Sequence, residues 1–205
     1  MFRKTSIIKV FFILILTLLF AACEKSSVTN PPSTTGASTF PNKVGDKWTY
    51  AVYDSIGNSF DTLTTEIAGT IVVNNQTLSI WVMNSNSYKD SLFVSADNES
   101  VVFYQDRNAT IIDHKYELPL VVGNYWYNPG QQFDSTTVKD KESVTVPAGS
   151  YPEVFRLERK WGSFNVYGNS DTWIDNDIGI VKLYRRIYGY DNIKETWQLL
   201  SYTLQ

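Results

Sequence analysis

From Phe40 to the C-terminus, apolar and polar residues alternate in short runs separated by turn residues. Thr62–Ile67, Thr77–Val82, Glu153–Glu158 and Trp197–Leu204 all follow a rough period of two, which places alternate side chains on opposite faces of a strand. Ile56-Gly57-Asn58, Asn74-Asn75, Asn128-Pro129-Gly130, Pro147-Ala148-Gly149 and Gly189-Tyr190-Asp191-Asn192 punctuate these runs with residues suited to tight turns. Strands joined by such short links must be antiparallel, because a parallel connection needs a long crossover. The spacing predicts about twelve strands, too many for a flat open sheet. The expected fold is therefore all-β: an antiparallel, curved half-barrel or barrel-like sheet.

The pattern also repeats. Phe40-Pro41-Asn42-Lys43-Val44-Gly45-Asp46-Lys47-Trp48 returns as Leu118-Pro119-Leu120-Val121-Val122-Gly123-Asn124-Tyr125-Trp126, an apolar-Pro-x-x-Val-Gly-(Asp/Asn)-x-Trp motif displaced by 78 positions. Ser100-Val101-Val102 parallels Gly179-Ile180-Val181, and Tyr116-Glu117-Leu118 parallels Trp197-Gln198-Leu199, at shifts of 79 and 81. Matches in a common order predict two tandem repeats of about 78–81 residues, unit 1 over 40–117 and unit 2 over 118–205. Proline before Val-Gly and Trp suits a turn that feeds a strand anchored by its tryptophan.

Ahead of the repeats the periodicity vanishes. Arg3, Lys4 and Lys9 precede an uncharged run from Val10 to Phe20, then Ala21, Ala22 and the sole cysteine, Cys23. This order marks residues 1–22 as an export signal. The run is too short for a spanning helix of roughly 20 apolar residues. Leu19-Phe20-Ala21-Ala22-Cys23 resembles the lipobox of bacterial lipoproteins, although Phe20 stands where leucine is usual. That resemblance implies a lipidated (palmitoylated) Cys23 and a membrane as partner. Residues 23–39 are rich in Ser, Thr, Pro and Gly, and read as a flexible tether.

Charge and composition narrow the function. Without Arg3, Lys4 and Lys9 the chain holds 15 basic against 21 acidic residues, so nucleic acid is not an expected partner. A lipidated sole cysteine leaves no thiol for a disulfide or a metal. His114 is the only histidine, and strict alternation through Thr110–Tyr116 sets it on the face opposite Asp113 and Lys115, as a solvent-facing residue. No nucleophile elbow accompanies it. Asp171, Asp175, Asn176, Asp177 and Gly179 offer hard oxygens but lack the closing glutamate of a calcium loop, and read as a polar hairpin. No cofactor, metal or catalytic set is expected. The stronger lead is aromatic: Trp48, Tyr50, Trp81, Tyr125, Trp126, Tyr127, Trp161, Tyr167, Trp173 and Trp197 could fill a core or line a groove. Among them Trp48, Trp81, Trp126, Trp161 and Trp173 are the candidate ligand-binding residues.

Val144-Thr145-Val146-Pro147-Ala148-Gly149-Ser150-Tyr151, the Leu118–Trp126 entry, Trp173-Ile174-Asp175 and Gly179-Ile180-Val181-Lys182 together resemble β half-barrel domains of unknown function in lipid-anchored envelope lipoproteins of the Bacteroidota type. The resemblance covers unit 2 well and unit 1 only at its entry motif; further along unit 1, Asn74-Asn75-Gln76 stands in place of Pro-Ala-Gly. It implies an envelope location, in the outer membrane facing periplasm or cell surface, and supplies no catalytic residues. The expectation is a non-catalytic binding or accessory module for an apolar or saccharide ligand. The alternatives are a scaffold that binds another envelope protein and, less favoured, a carboxylate-based hydrolase.

Overall fold

The computed structural model describes residues 40–205 except 57, 130–132, 164–165 and 189–192. The signal, Cys23 and the tether lie outside the described residues.

Twelve strands follow one another: β1 (Lys47–Asp54), β2 (Ser59–Val73), β3 (Gln76–Asn84), β4 (Lys89–Ala96), β5 (Ser100–Tyr104), β6 (Ile112–Glu117), β7 (Tyr125–Tyr127), β8 (Phe133–Val146), β9 (Gly149–Ser163), β10 (Val166–Asp175), β11 (Gly179–Tyr188) and β12 (Ile193–Thr203). All pairs are antiparallel, and no helix occurs among the described residues. Their order, β6-β5-β4-β3-β2-β1-β12-β11-β10-β9-β8-β7, is an up-and-down meander whose first and last strands pair. The result is a nearly closed barrel with its seam between β6 and β7, at the middle of the chain.

The two entry motifs have the same geometry. Gly45 and Gly123 take φ of +93° and +94°, a region open to glycine because it has no Cβ. Gly45 N donates to Ile67 O at 2.9 Å and Gly123 N to Val138 O at 2.8 Å, and Ile67 N and Val138 N donate back to Asp46 O and Asn124 O at 2.9 Å. At both sites β2 and β8 carry a register shift directly afterwards, between Ile67 and Gly69 and between Val138 and Asp140. The β2–β3 turn Asn74-Asn75 has φ of 50° and 63°, the paired positive values of a tight two-residue hairpin. It takes the place that Pro147-Ala148 fills between β8 and β9.

The barrel has unlike ends. At the base, Trp48, Ile67, Leu78, Val94, Val101, Val154, Ile174, Val181 and Leu199 fill the interior almost without exposure. Phe40 is buried beside them, its ring 6.1 Å from that of Trp81 and 6.2 Å from that of Tyr116, so the incoming chain closes the base. Asp46 ties the segment leading into β1 to the residues that follow β12, accepting from Lys43 N and Gln205 N at 2.8 Å. Toward the other end, where β1 runs into β2 and β3 into β4, the filling stops.

Candidate functional site

The unfilled half of the barrel is a cavity of about 1000 Å³. Its floor is a chain of rings. Trp81 meets Phe103 edge-on at 5.6 Å and Phe103 stacks on His114 at 4.3 Å, while Trp48 backs Trp81 from the filled base at 5.0 Å. The floor indole and the one beneath it are both pinned: Trp81 Nε1 donates to Asn42 Oδ1 at 2.8 Å and Trp48 Nε1 to Ile178 O at 2.7 Å. Above the floor, Val52, Leu63, Met83, Leu92, Leu157 and Leu183 present an apolar wall. The mouth lies between hairpin tips that bring exposed Ser59, Ser87, Tyr88 and Asp90 to the lining.

Two charged clusters interrupt this apolar surface. The first spans the seam. Asp134, whose side chain is wholly inaccessible, accepts from Arg159 Nη2 at 2.6 Å, Arg159 Nε at 3.0 Å and Asn128 Nδ2 at 2.7 Å. Arg159 Nη2 also donates to Asp113 O at 2.6 Å, Asn128 Oδ1 accepts from Lys115 N at 2.9 Å, and Trp126 Nε1 donates to Lys115 O at 3.0 Å. Trp126 of β7, Asn128 just beyond it and Arg159 of β9 thereby occupy backbone groups on the free edge of β6, while Asp134 of β8 holds Asn128 and Arg159 in place. A ladder is replaced by a latch.

On the cavity side of that latch, His114 Nδ1 lies 2.5 Å from Asp113 Oδ2. Burial opposes ionisation of Asp113, yet hydrogen bonds from His114 and Gln105 and the nearby Arg159 charge prevail and hold its pKa below the usual carboxylate range. An ionised carboxylate only accepts, so Nδ1 carries the proton and Nε2 is the unprotonated nitrogen of a neutral ring. Burial lowers the His114 pKa and outweighs the opposing pull of Asp113.

The second cluster stands on β11 and β12, where Glu195 accepts from both Arg185 Nη2 and Trp197 Nε1. Close by, burial and the hydrogen bond to Asp90 push the Tyr88 hydroxyl pKa up to about 12, so it remains a donor.

The structure separates the five candidate tryptophans. Trp81 and Trp161 line the cavity. Trp48 and Trp126 are buried in the base and at the seam, where their N–H groups are spent on Ile178 O and Lys115 O. Trp173 is on the outer face, since its neighbours Thr172 and Ile174 point inward; its Nε1 donates to Glu142 Oε1 at 2.6 Å, and Lys182 Nζ sits 4.4 Å from its ring. Trp161 can lie against the wall because its cross-strand partner is Gly168, and any Cβ there would stand 2.5 Å from Trp161 Cζ2.

His114 differs from the sequence expectation. It is not solvent-facing but lines the cavity together with Asp113. A register shift lets β6 jump from Ile112, opposite Tyr104, to His114, opposite Phe103, leaving Asp113 as an extra residue. Such a bulge interrupts the alternation on which the expectation depended. Asp175 accepts from Asp177 N and Ile178 N within its own hairpin, while Asp171 pairs with Arg156. Asp134, Asn128, Thr136 and Arg159 escaped the sequence reading. Aspartate at an inward position of β8 was the one available signal, and it is visible only once the strand faces are fixed.

Comparison with known proteins reaches the fold. No family model matches the chain, and no curated protein matches it by sequence. The barrel is similar to the crystal structure of an exported protein of Bacteroides fragilis with a YmcC-like fold, at 13% identity and a TM-score of 0.50, over 82% of this chain and 100% of that one. A lipoprotein of Parabacteroides distasonis aligns at 13% identity and a TM-score of 0.44, over 80% of this chain and 97% of its own. The first likeness supports a shared barrel architecture.

Proposed function

We propose that this protein is a non-catalytic binding module of the bacterial cell envelope, held to the outer membrane by lipid on Cys23, whose barrel takes up an uncharged amphipathic ligand. The observation that carries the reading is the cavity of about 1000 Å³, of a size with known small-molecule sites. Its aromatic floor and aliphatic wall suit an acyl chain or the apolar face of a sugar ring. Asp54, Asp61, Asp90, Asp113 and Glu195 outnumber Arg159 and Arg185 in its lining, and both arginines are already paired with carboxylates. An anionic head group would meet net repulsion there.

Export of the Bacteroides fragilis neighbour agrees with the signal and lipobox pattern of this chain. The scaffold alternative would dock through a strand edge or an apolar patch, and of these the β6 edge is already occupied by the latch at Asp113 and Lys115.

The test is native mass spectrometry of the chain purified from its membrane, followed by extraction and identification of any bound small molecule. A stoichiometric neutral amphiphile, lost in Trp81→Ala or Trp161→Ala while the fold persists, is the expected result. An empty cavity that takes up neither lipids nor oligosaccharides in titration would refute the reading.

A further inference from the structure

From the outer wall we infer that the mouth end of the barrel docks on a lipid bilayer surface. Exposed aromatic side chains gather at that end. Phe60 opens β2 and is 82% exposed, Tyr127 closes β7 and is 71% exposed, and Phe133, Tyr167 and Tyr88 open β8, sit near the start of β10 and tip the β3–β4 hairpin. Ile56, Ile111 and Val166 are exposed on hairpins of the same end. The belt therefore touches every described hairpin around the mouth. Neighbouring rings support it: Tyr53 packs 5.0 Å from Phe60, and Tyr188 stacks 4.7 Å from Tyr167. At the base the exposed apolar side chains are aliphatic, Val44, Val72, Val121, Val122 and Leu200, with no aromatic ring among them.

Tyrosine and phenylalanine at one level of a barrel suit the boundary between head groups and acyl chains, where an amphipathic ring satisfies both sides. Insertion is shallow. A membrane-crossing barrel presents an apolar band roughly 25 Å tall, whereas the outer wall away from the mouth carries the ion pairs Lys47–Glu66 and Lys139–Glu158. Charges of both signs stand at the rim, Lys89, Arg107, Arg185 and Lys194 among Asp54, Asp61, Asp90, Asp106 and Glu195, so no basic surface is offered to anionic lipid. The fitting occupant is thus a zwitterionic bilayer, gripped by apolar contact and insensitive to salt.

The chain's own attachment permits this posture. Phe40 enters at the base, and the 16 residues Glu24–Thr39 before it span at most about 55 Å when extended. That is comparable to a 15-residue strand, which measures about 50 Å before barrel tilt shortens its axial rise. A barrel anchored at Cys23 can turn its mouth back to the same membrane. This reach rests on the anchored reading, but the belt itself is independent of what the cavity holds.

Photocrosslinking tests it on the full chain attached to phosphatidylcholine vesicles, with benzoylphenylalanine placed singly at Phe60, Tyr127, Tyr167, Val72 or Val122. Lipid adducts at the first three positions and not at the two valines are expected, with the same yields at low and high salt. In a Phe60→Ser, Tyr127→Ser, Phe133→Ser background, the adduct at position 167 should fall several-fold. No adduct at the mouth, equal adducts at both ends, or a yield unmoved by the triple change would overturn the inference. None of these outcomes depends on cavity occupancy, which native mass spectrometry reads separately.

Discussion

Phe103 and His114 lie ring on ring, 4.3 Å between centroids and 9° between planes, on adjacent strands at the cavity floor. The stack buries an imidazole whose protonation would place a charge among aromatic side chains. The His114 pKa lies below 6.5 in the folded state, chiefly through burial. Between that lowered value and 6.5 the unfolded chain binds more protons than the folded one, so stability falls as pH falls through the window. Asp113, held below 3.8, adds a second loss in the same direction at lower pH. Urea midpoints should be level above about pH 7, where neither group titrates, and decline in two steps below it. His114→Phe keeps the stack and should remove the upper step. Because the chain has one histidine, a single imidazole resonance reports the titration directly.

Asp134 and Arg159 form the most enclosed ion pair of the seam, with side chains 0% and 16% accessible. Removing the carboxylate leaves the guanidinium, in a poorly solvated site, with only the more distant Asp113 at 3.7 Å as counter-charge. Asp134→Asn should cost about 3–5 kcal/mol in chemical denaturation. The double variant Asp134→Leu, Arg159→Met should lose much less than the two single changes added together, since it removes both charges at once.

Gly123 and Gly45 separate backbone strain from crowding. A Cβ on Gly123 meets nothing within 4 Å, so Gly123→Ala carries only the left-handed backbone penalty, about 1–2 kcal/mol. A Cβ on Gly45 would also stand 3.1 Å from Gln205 Cγ, so Gly45→Ala should cost at least as much. D-alanine at position 123, introduced by chemical ligation, should restore stability.

Gly168→Ala probes the cavity wall. Its Cβ would press on Trp161 Cζ2 and Cε2 at 2.5 and 2.7 Å and on Arg186 O at 3.0 Å. The indole must then leave its seat beside Arg159, whose guanidinium lies 5.1 Å from the Trp161 ring. Overpacking of this kind costs about 1–3 kcal/mol. A shifted tryptophan emission and weaker ligand retention at unchanged secondary structure are the expected readouts.

The strands, their antiparallel pairing and the two entry turns were legible because they are local. Period-two runs between Asn, Pro and Gly report them within ten residues, whereas Trp48 and Trp126, counted among the candidate ligand-binding residues, are buried anchors of their entry motifs. The candidate site was less legible. His114 was assigned the wrong face because a single extra residue, Asp113, shifts the register, and a bulge leaves no mark in composition. Arg159 meets Asp134 across 25 positions and Asp113 across 46, distances over which only the closed barrel brings them together. Trp173 illustrates the same limit: as a tryptophan in a strand it signals core, yet Thr172 and Ile174 take the inward places and leave it outside.

The placement of the seam has a mechanical consequence. A pull transmitted through Phe40 enters β1, which is held on both flanks by long ladders, to β2 from Lys47 to Asp54 and to β12 over the same residues. The load falls in shear on a strand that is paired along its whole length on both sides. The latch of Asn128, Trp126 and Arg159 lies across the barrel from that strand and carries little of the strain, so a tug on the N-terminal side leaves the weakest line of the wall closed.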